Sequence, residues 1–224
     1  MPIGTLVGGR VRGGMGATDE RIFDLNEMRE LLSSQGLPQF TEMTRQGNGW
    51  TVMTSSAVAP LTALPTTVAA LEVYNNSSGP GAFTIIVADL LGFEAATAAA
   101  SVTRAFGIFG MVTTQKAAPT LSALNLTSLS GRQLIAPTAA SPIVTGVGTT
   151  VVANGWRPFG NPQAWNVNAA GATPGGSYEC TVNGKLIVPP GCSLCVQAVG
   201  ALGTGTFNVG ATFYTAPITA SLMS

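Results

Sequence analysis

Thr206-Phe207-Asn208-Val209-Gly210-Ala211-Thr212-Phe213-Tyr214-Thr215 alternates with a period of two, with Phe207, Val209, Ala211 and Phe213 on one side and Thr206, Asn208, Gly210, Thr212 and Tyr214 on the other. Successive side chains of a strand point to opposite faces, so this stretch is predicted to be a strand with one buried face. Working back along the chain, the same kind of run recurs at Trp50–Val58, Val68–Asn75, Phe83–Phe93, Arg104–Thr113, Thr149–Asn154, Ser177–Val182, Lys185–Val188 and Ser193–Val199, each bounded by Gly, Pro, Asn or Ser. Eight or nine short strands with turn-rich connections predict an all-β protein, a jelly-roll-like β-sandwich. Asn183-Gly184 reads as a type I′ hairpin turn, and Asn75–Gly81 as a longer turn. Pro119–Pro142 shows no clear period and is expected to be a long crossover or an exposed loop.

The first 45 residues differ in kind. Six glycines within the first 17 residues cannot build a core, so this part is expected to be an extended arm. One short helix is predicted on it: Asp24 suits the N-cap, Glu27 reaches back from N3, and Phe23 and Met28 occupy the staple positions. Leu25, Met28, Leu31 and Leu32 form its apolar stripe, and Gly36 and Pro38 end it. So short a helix is marginal alone and is expected to dock on something. The chain thus divides into an arm, 1–45, and a sandwich body, 46–224.

Charge sharpens the reading. The 224 residues carry 10 Lys+Arg and 10 Asp+Glu, only 9% of the chain, where about 25% is usual. Eleven of these charges lie in residues 1–45, which leaves nine for the body. A monomer of this mass exposes roughly 9,500 Å², and nine charges cover that poorly, so the body is expected to bury part of its surface against other subunits. With zero net charge and no basic patch, neither nucleic acid nor an anionic membrane is an expected partner. The apolar window Phe83–Ala100 has the length of a membrane span, but Asp89, Gly92 and Glu94 interrupt it and its β-branched residues favour a buried strand. No secretory signal pattern is visible, so synthesis in a cytoplasm is expected.

Chemistry is scarce. The absence of histidine excludes Ser-His, Cys-His and His-Glu-x-x-His arrangements. Cys192 and Cys195 have metal-ligand spacing, but Cys180 is the only further thiol; on a strand the two would point to opposite faces, so all three are read as packing residues and no metal is expected. The glycines near the N-terminus follow no strand and form no dinucleotide or phosphate cradle, so no cofactor is expected. Asp89 and Glu94 show no spacing suited to glycoside cleavage, and a buried ion pair with Arg104 or a strand-end position is the expected role. Trp50 is assigned to the core. Trp156 and Trp165, large surfaces at small entropic cost, are interface candidates together with Phe23, Leu25, Met28, Leu31 and Leu32.

The passage Asn183-Gly184-Lys185-Leu186-Ile187-Val188-Pro189-Pro190-Gly191, followed by Ser193–Val199 and Thr206–Tyr214, resembles the end of trimeric jelly-roll virion proteins of tailed bacteriophages. It is also similar to that of tumour-necrosis-factor-like trimers. The Trp50 strand, Leu71–Asn76 and Leu129–Arg132 look like the same kind of phage protein. Paired prolines end a strand because they cannot donate to the ladder, which adds Pro189 and Pro190 to the interface candidates. The resemblance implies a non-enzymatic virion component made in the bacterial cytoplasm. In this reading it is a homotrimeric capsid cement or decoration protein whose arm grips other virion proteins such as the major capsid protein. A tail, collar or fibre-base protein with a receptor- or carbohydrate-binding role, and a small shell-forming capsid protein, are the alternatives.

Overall fold

The computed structural model describes residues 40–96, 102–114, 124–131, 134–135, 141–146, 155–167, 177–200 and 206–218. Contacts divide the chain into Met1–Arg45 and Gln46–Ser224. Of the first unit, a short helix α1 (Thr41–Arg45) is described; it is tied by the Thr44 N–H to the Phe40 carbonyl (2.9 Å) and by an exposed Arg45–Glu42 ion pair (2.6 Å). The helix read with Asp24 as its N-cap and with Gly36 and Pro38 as its stop lies outside the described residues.

Among the described residues the body has twelve strands: β1 (Gly49–Met53), β2 (Leu71–Asn75), β3 (Phe83–Ala96), β4 (Val102–Thr114), β5 (Leu126–Ser128), β6 (Leu134–Ile135), β7 (Ile143–Gly146), β8 (Arg157–Val167), β9 (Ser177–Thr181), β10 (Ile187–Val188), β11 (Cys192–Gly200) and β12 (Thr206–Pro217). They form two antiparallel sheets. The seven-stranded sheet has the order β10-β3-β12-β1-β5-β6, with β9 also on β3, and the five-stranded sheet is β7-β2-β11-β4-β8. The chain steps from one sheet to the other at nearly every connection: β1, β3, β9–β10 and β12 belong to the first, β2, β4, β8 and β11 to the second. That alternation, with β12 returning between β1 and β3 and β11 between β2 and β4, is the double Greek key of a jelly roll. Strands β5, β6 and β7 widen the two sheets beyond this eight-strand frame.

The alternating run at Thr206 is the middle of the larger sheet. β12 pairs with β1 and β3 together, and its Phe207, Val209, Ala211 and Phe213 enter the core. The opposite sheet contributes Leu71 and Val73 from β2, Ile108 from β4 and Leu194 and Val196 from β11, all wholly buried. Phe106 and Phe207 join the layers with ring centroids 4.1 Å apart at 51°, a tilted geometry that aromatic quadrupoles favour. Trp50 is in this core, as expected.

A buried polar corner ties three elements at one end of the sandwich. Asn75 Nδ2 donates to the carbonyls of Phe83 (2.8 Å) and Val188 (2.9 Å), while Asn75 Oδ1 accepts from the Ser77 hydroxyl (2.7 Å) and N–H (3.2 Å). The Ser77 hydroxyl in turn accepts the Phe83 N–H (3.1 Å). Residues 75–83 therefore make a turn, as the sequence suggests, closed by a single 3-10 turn at Gly79–Gly81.

Several expectations are corrected. Asn183-Gly184 has the anticipated turn conformation, with φ of 49° and 71° and the Lys185 N–H on the Val182 carbonyl (3.2 Å). It does not make a hairpin, because β9 and β10 both pair antiparallel with the same edge of β3. The Val182 and Asn183 N–H groups share the Ala88 carbonyl and the Val87 N–H reaches Leu186, so the turn is a looped-out blister in one interrupted edge strand. Pro119–Pro142 is not a bare loop: it carries β5, β6 and the buried Leu124 and Leu126. β7 and β8 had no counterpart in the sequence reading, and Thr149–Asn154 lies outside the described residues. The Trp50 strand ends at Met53, resuming only as a bridge between Val58 and Phe207, and the Val68 strand begins at Leu71.

Candidate interaction surface

Two features of the body surface stand out, one on each sheet. The first is the connection from β1 to β2, residues 54–70. It is fastened at several points: the Val58 N–H to the Phe207 carbonyl (2.9 Å), the Leu61 N–H to the Ala198 carbonyl (3.1 Å), the Gly200 N–H to the Leu61 carbonyl (2.9 Å), and the Ala70 N–H to Gln197 Oε1 (2.8 Å). Trp156 supplies another fastening. Its indole N–H donates to the Pro65 carbonyl (3.1 Å), and its ring packs on a small cluster of Ala69, Met111 and Cys195. Trp156 is thus half-buried and engaged within its own subunit.

This connection encloses an open hollow of about 660 Å³ over Gln197. Val58, Leu61, Leu64 and Val68 line it and remain 38–46% exposed. No charged residue lies between Arg45 and Glu72, so the wall is neutral. Gln197 is buried with both ends of its amide engaged, Oε1 with Ala70 and Nε2 with the Ala198 carbonyl (3.0 Å).

The second feature is the outer face of the seven-stranded sheet. Cys180 and Leu90 point inward, so their neighbours Asp89, Glu179 and Thr181 point out. The same face presents Met53, Phe93 and Ile187, the last 51% exposed. Asp89 sits opposite Thr181 in register, with Glu179 two residues from Thr181 on the same face of β9. Partial burial, then the charge and hydrogen bond of Glu179, push the Asp89 carboxyl up to about 6, with the Thr181 hydroxyl opposing. Asp89 thus faces another acid, while the side chain of Arg104, the expected ion-pair partner of Asp89 or Glu94, lies outside what is described. Glu94 is wholly buried on the inward side of β3, opposite Phe207.

The raised value at Asp89 sets a pH dependence. Between about pH 4 and pH 6 the folded chain holds a proton that an unfolded aspartate releases, so stability falls as pH rises through that window and the penalty is complete above about pH 6. Asp89→Asn is expected to raise the thermal midpoint at pH 7.5 and to leave it nearly unchanged at pH 4. An equal shift at both pH values would show that the carboxyl pair is not its source.

The thiols do not converge. Cys192 packs against the main core and Cys195 lies on the other face of β11, as their spacing on a strand predicts. Burial, then the charges of Asp89 and Glu179, push the Cys180 thiol up to about 11, and burial followed by Glu72 pushes Cys195 well above the usual thiol range. Such thiols are poor nucleophiles. Among the described residues no group of three His, Cys, Asp or Glu could hold a metal ion, and no helix is long and apolar enough to cross a membrane.

The remaining sequence candidates are placed as follows. Pro189 is exposed and Pro190 half-buried at the crossing from β10 to β11, where the Gly191 N–H meets the Asn75 carbonyl (2.8 Å). Trp165 stands in β8 opposite Arg104; only its backbone is described. Phe23, Leu25, Met28, Leu31 and Leu32 lie outside the described residues. The hollow and the Asp89–Glu179 pair were both missed. The stretch without charge between Arg45 and Glu72 was a legible signal for the first; nothing local joins residues ninety positions apart for the second.

Compared with known proteins, the chain matches no family model, no curated protein and no solved structure. The functional reading therefore rests on its own residues.

Proposed function

We propose that the chain is a non-catalytic structural subunit that assembles with copies of itself, most specifically a trimeric cement or decoration protein of a bacteriophage capsid anchored by residues 1–45. The observation that carries this reading is the scarcity of charge on a large sandwich: nine charged residues in 46–224, with Met53, Phe93 and Ile187 exposed on one sheet face. Large solvent-facing apolar side chains on a charge-poor body are the mark of a surface buried by association, and on this face they surround a pair of acids, Asp89 and Glu179. The jelly roll is used by virion subunits but also by lectins and cupins, so the fold adds support only through the resemblance of the Val188-Pro189-Pro190-Gly191 passage and its flanking strands to phage virion proteins. A non-catalytic role accords with the absence of histidine and with an acid pair that lies on an open sheet face, outside the hollow. A sugar-binding tail module is less well supported, because the Trp156 ring and N–H are already engaged.

The test is the solution mass of the full chain and of residues 46–224, measured side by side by light scattering after size exclusion. Trimers of both, with loss of particle binding in the shorter one alone, are the expected result. A monomeric full chain sinks the self-assembly reading, and large closed particles favour a shell-forming subunit instead.

A further inference from the structure

The hollow over Gln197 is built in a way that packing alone does not require. A neutral connection bearing Val58, Leu61, Leu64 and Val68 would lower its free energy by folding those side chains onto one another or onto the sheet beneath, since each apolar side chain left in water forgoes its transfer free energy. The fastenings prevent this. Bridges at Val58 and Leu61 hold one limb, the Trp156 indole holds the bend at Pro65, and Gln197 holds the other limb at Ala70. The hollow is therefore held open before anything enters it, and a volume of about 660 Å³ falls within the roughly 300–1,000 Å³ typical of small-molecule sites.

Its chemistry limits what enters. The floor's polar group is already tied down, because the Gln197 amide accepts from the Ala70 N–H and donates to the Ala198 carbonyl, which leaves it at most one further N–H and one lone pair. The wall carries no charged residue, and its polar side chains are hydroxyl-bearing ones such as Ser55 and Thr66. An ionised ligand would lose its hydration and gain no counter-charge, whereas a neutral apolar body with a hydroxyl or carbonyl group loses little. We infer that the hollow between Ser55 and Ala70 is a binding site for an uncharged, largely apolar small molecule. This goes beyond the structural role and does not depend on it.

The probe is the neutral dye Nile red, titrated into the full chain in its native assembly, with the anionic dye 1-anilinonaphthalene-8-sulfonate as comparison. Saturable Nile red binding at one dye per chain is expected, with the sulfonate dye at least about tenfold weaker. Leu64→Asn combined with Val68→Asn should weaken Nile red binding about tenfold or more, as loss of two apolar contacts implies, and should leave the thermal midpoint within a few degrees of the parent. Ile187→Asn, an exposed apolar residue elsewhere, should leave binding unchanged. The inference is overturned by absent or non-saturable binding, by equal loss in the Ile187 variant, or by a double variant that binds normally. The assembly mass of the same samples shows separately whether self-association fails.

Discussion

Replacing Gly210 by valine is expected to abolish the folded body. Gly210 lies in β12 opposite Met53 of β1, and a Cβ there would stand 2.5 Å from the Val52 carbonyl oxygen and 3.3 Å from the Met53 Cα. Both obstacles are backbone, so no side-chain rotation relieves them. β1 would have to leave β12, which breaks a ladder running from Gly49↔Tyr214 to Met53↔Gly210 and draws Trp50 and Val52 out of the core. A cost of about 4–5 kcal/mol is expected, the range reserved for substitutions that break a packed element, and this is comparable with the whole stability of many domains. Gly210→Ala should already show most of it. Gly81 is the control: nothing lies within 4 Å of its Cβ position, so Gly81→Ala should fall within about 1 kcal/mol of the parent. Urea unfolding of the soluble fractions measures all three, and a Gly210→Val protein as stable as the Gly81 control would refute this account of the β1–β12 contact.

That glycine also marks how far the sequence could be read. The strands legible over most of their length, β3, β4, β11 and β12, are long and carry either a strict alternation or a β-branched apolar run, because each is central enough to be covered on at least one face; β1, β2, β9 and β10 were legible as strands too, with their ends shifted. β8 was not legible because Pro158, Gly160 and Pro162 interrupt it, and prolines ordinarily argue against a strand. They are tolerated because β8 is the edge of the five-stranded sheet, where one row of N–H groups has no ladder to serve. β5, β6 and β7 span two to four residues, too few for a period to show. At Asn183-Gly184 the local turn chemistry was right and the topology wrong: dipeptide propensity reports where the backbone bends, while the partner of each flanking strand is decided by residues 85–93 of β3. The candidate surface was less legible than the fold, since it is made by residues brought together across sheets. Trp156 is the clearest case, an aromatic that sequence alone offers to a partner and that its own subunit uses to hold Pro65.

Asn75 extends the same lesson to stability, because asparagine in a turn is ordinarily a solvent-exposed residue and here it is wholly buried. Asn75→Leu preserves the approximate volume but deletes both donors to the Phe83 and Val188 carbonyls and the acceptor used by Ser77. Each buried group left without a partner costs about 1–3 kcal/mol, and the Ser77 hydroxyl can recover part of this by turning to the Phe83 carbonyl at 3.2 Å. A net loss of about 3–4 kcal/mol is therefore expected. Asn75→Asp separates the donor from the acceptor role. The aspartate keeps the oxygen that Ser77 needs but turns a second oxygen toward two carbonyls, so burial and those carbonyls both favour its protonated form. Its folded pKa then lies above that of the unfolded chain, and the sign follows: the folded state binds the extra proton, so the variant loses stability as pH rises through the carboxylate range and is least stable at neutral pH. Acidification from pH 7 to pH 4.5 should recover a substantial part of the deficit in Asn75→Asp and none of that in Asn75→Leu, with both read relative to the parent to cancel the contribution of Asp89. If the two variants respond alike to pH, the amide of Asn75 is not what holds β2, β3 and β10 together at this corner.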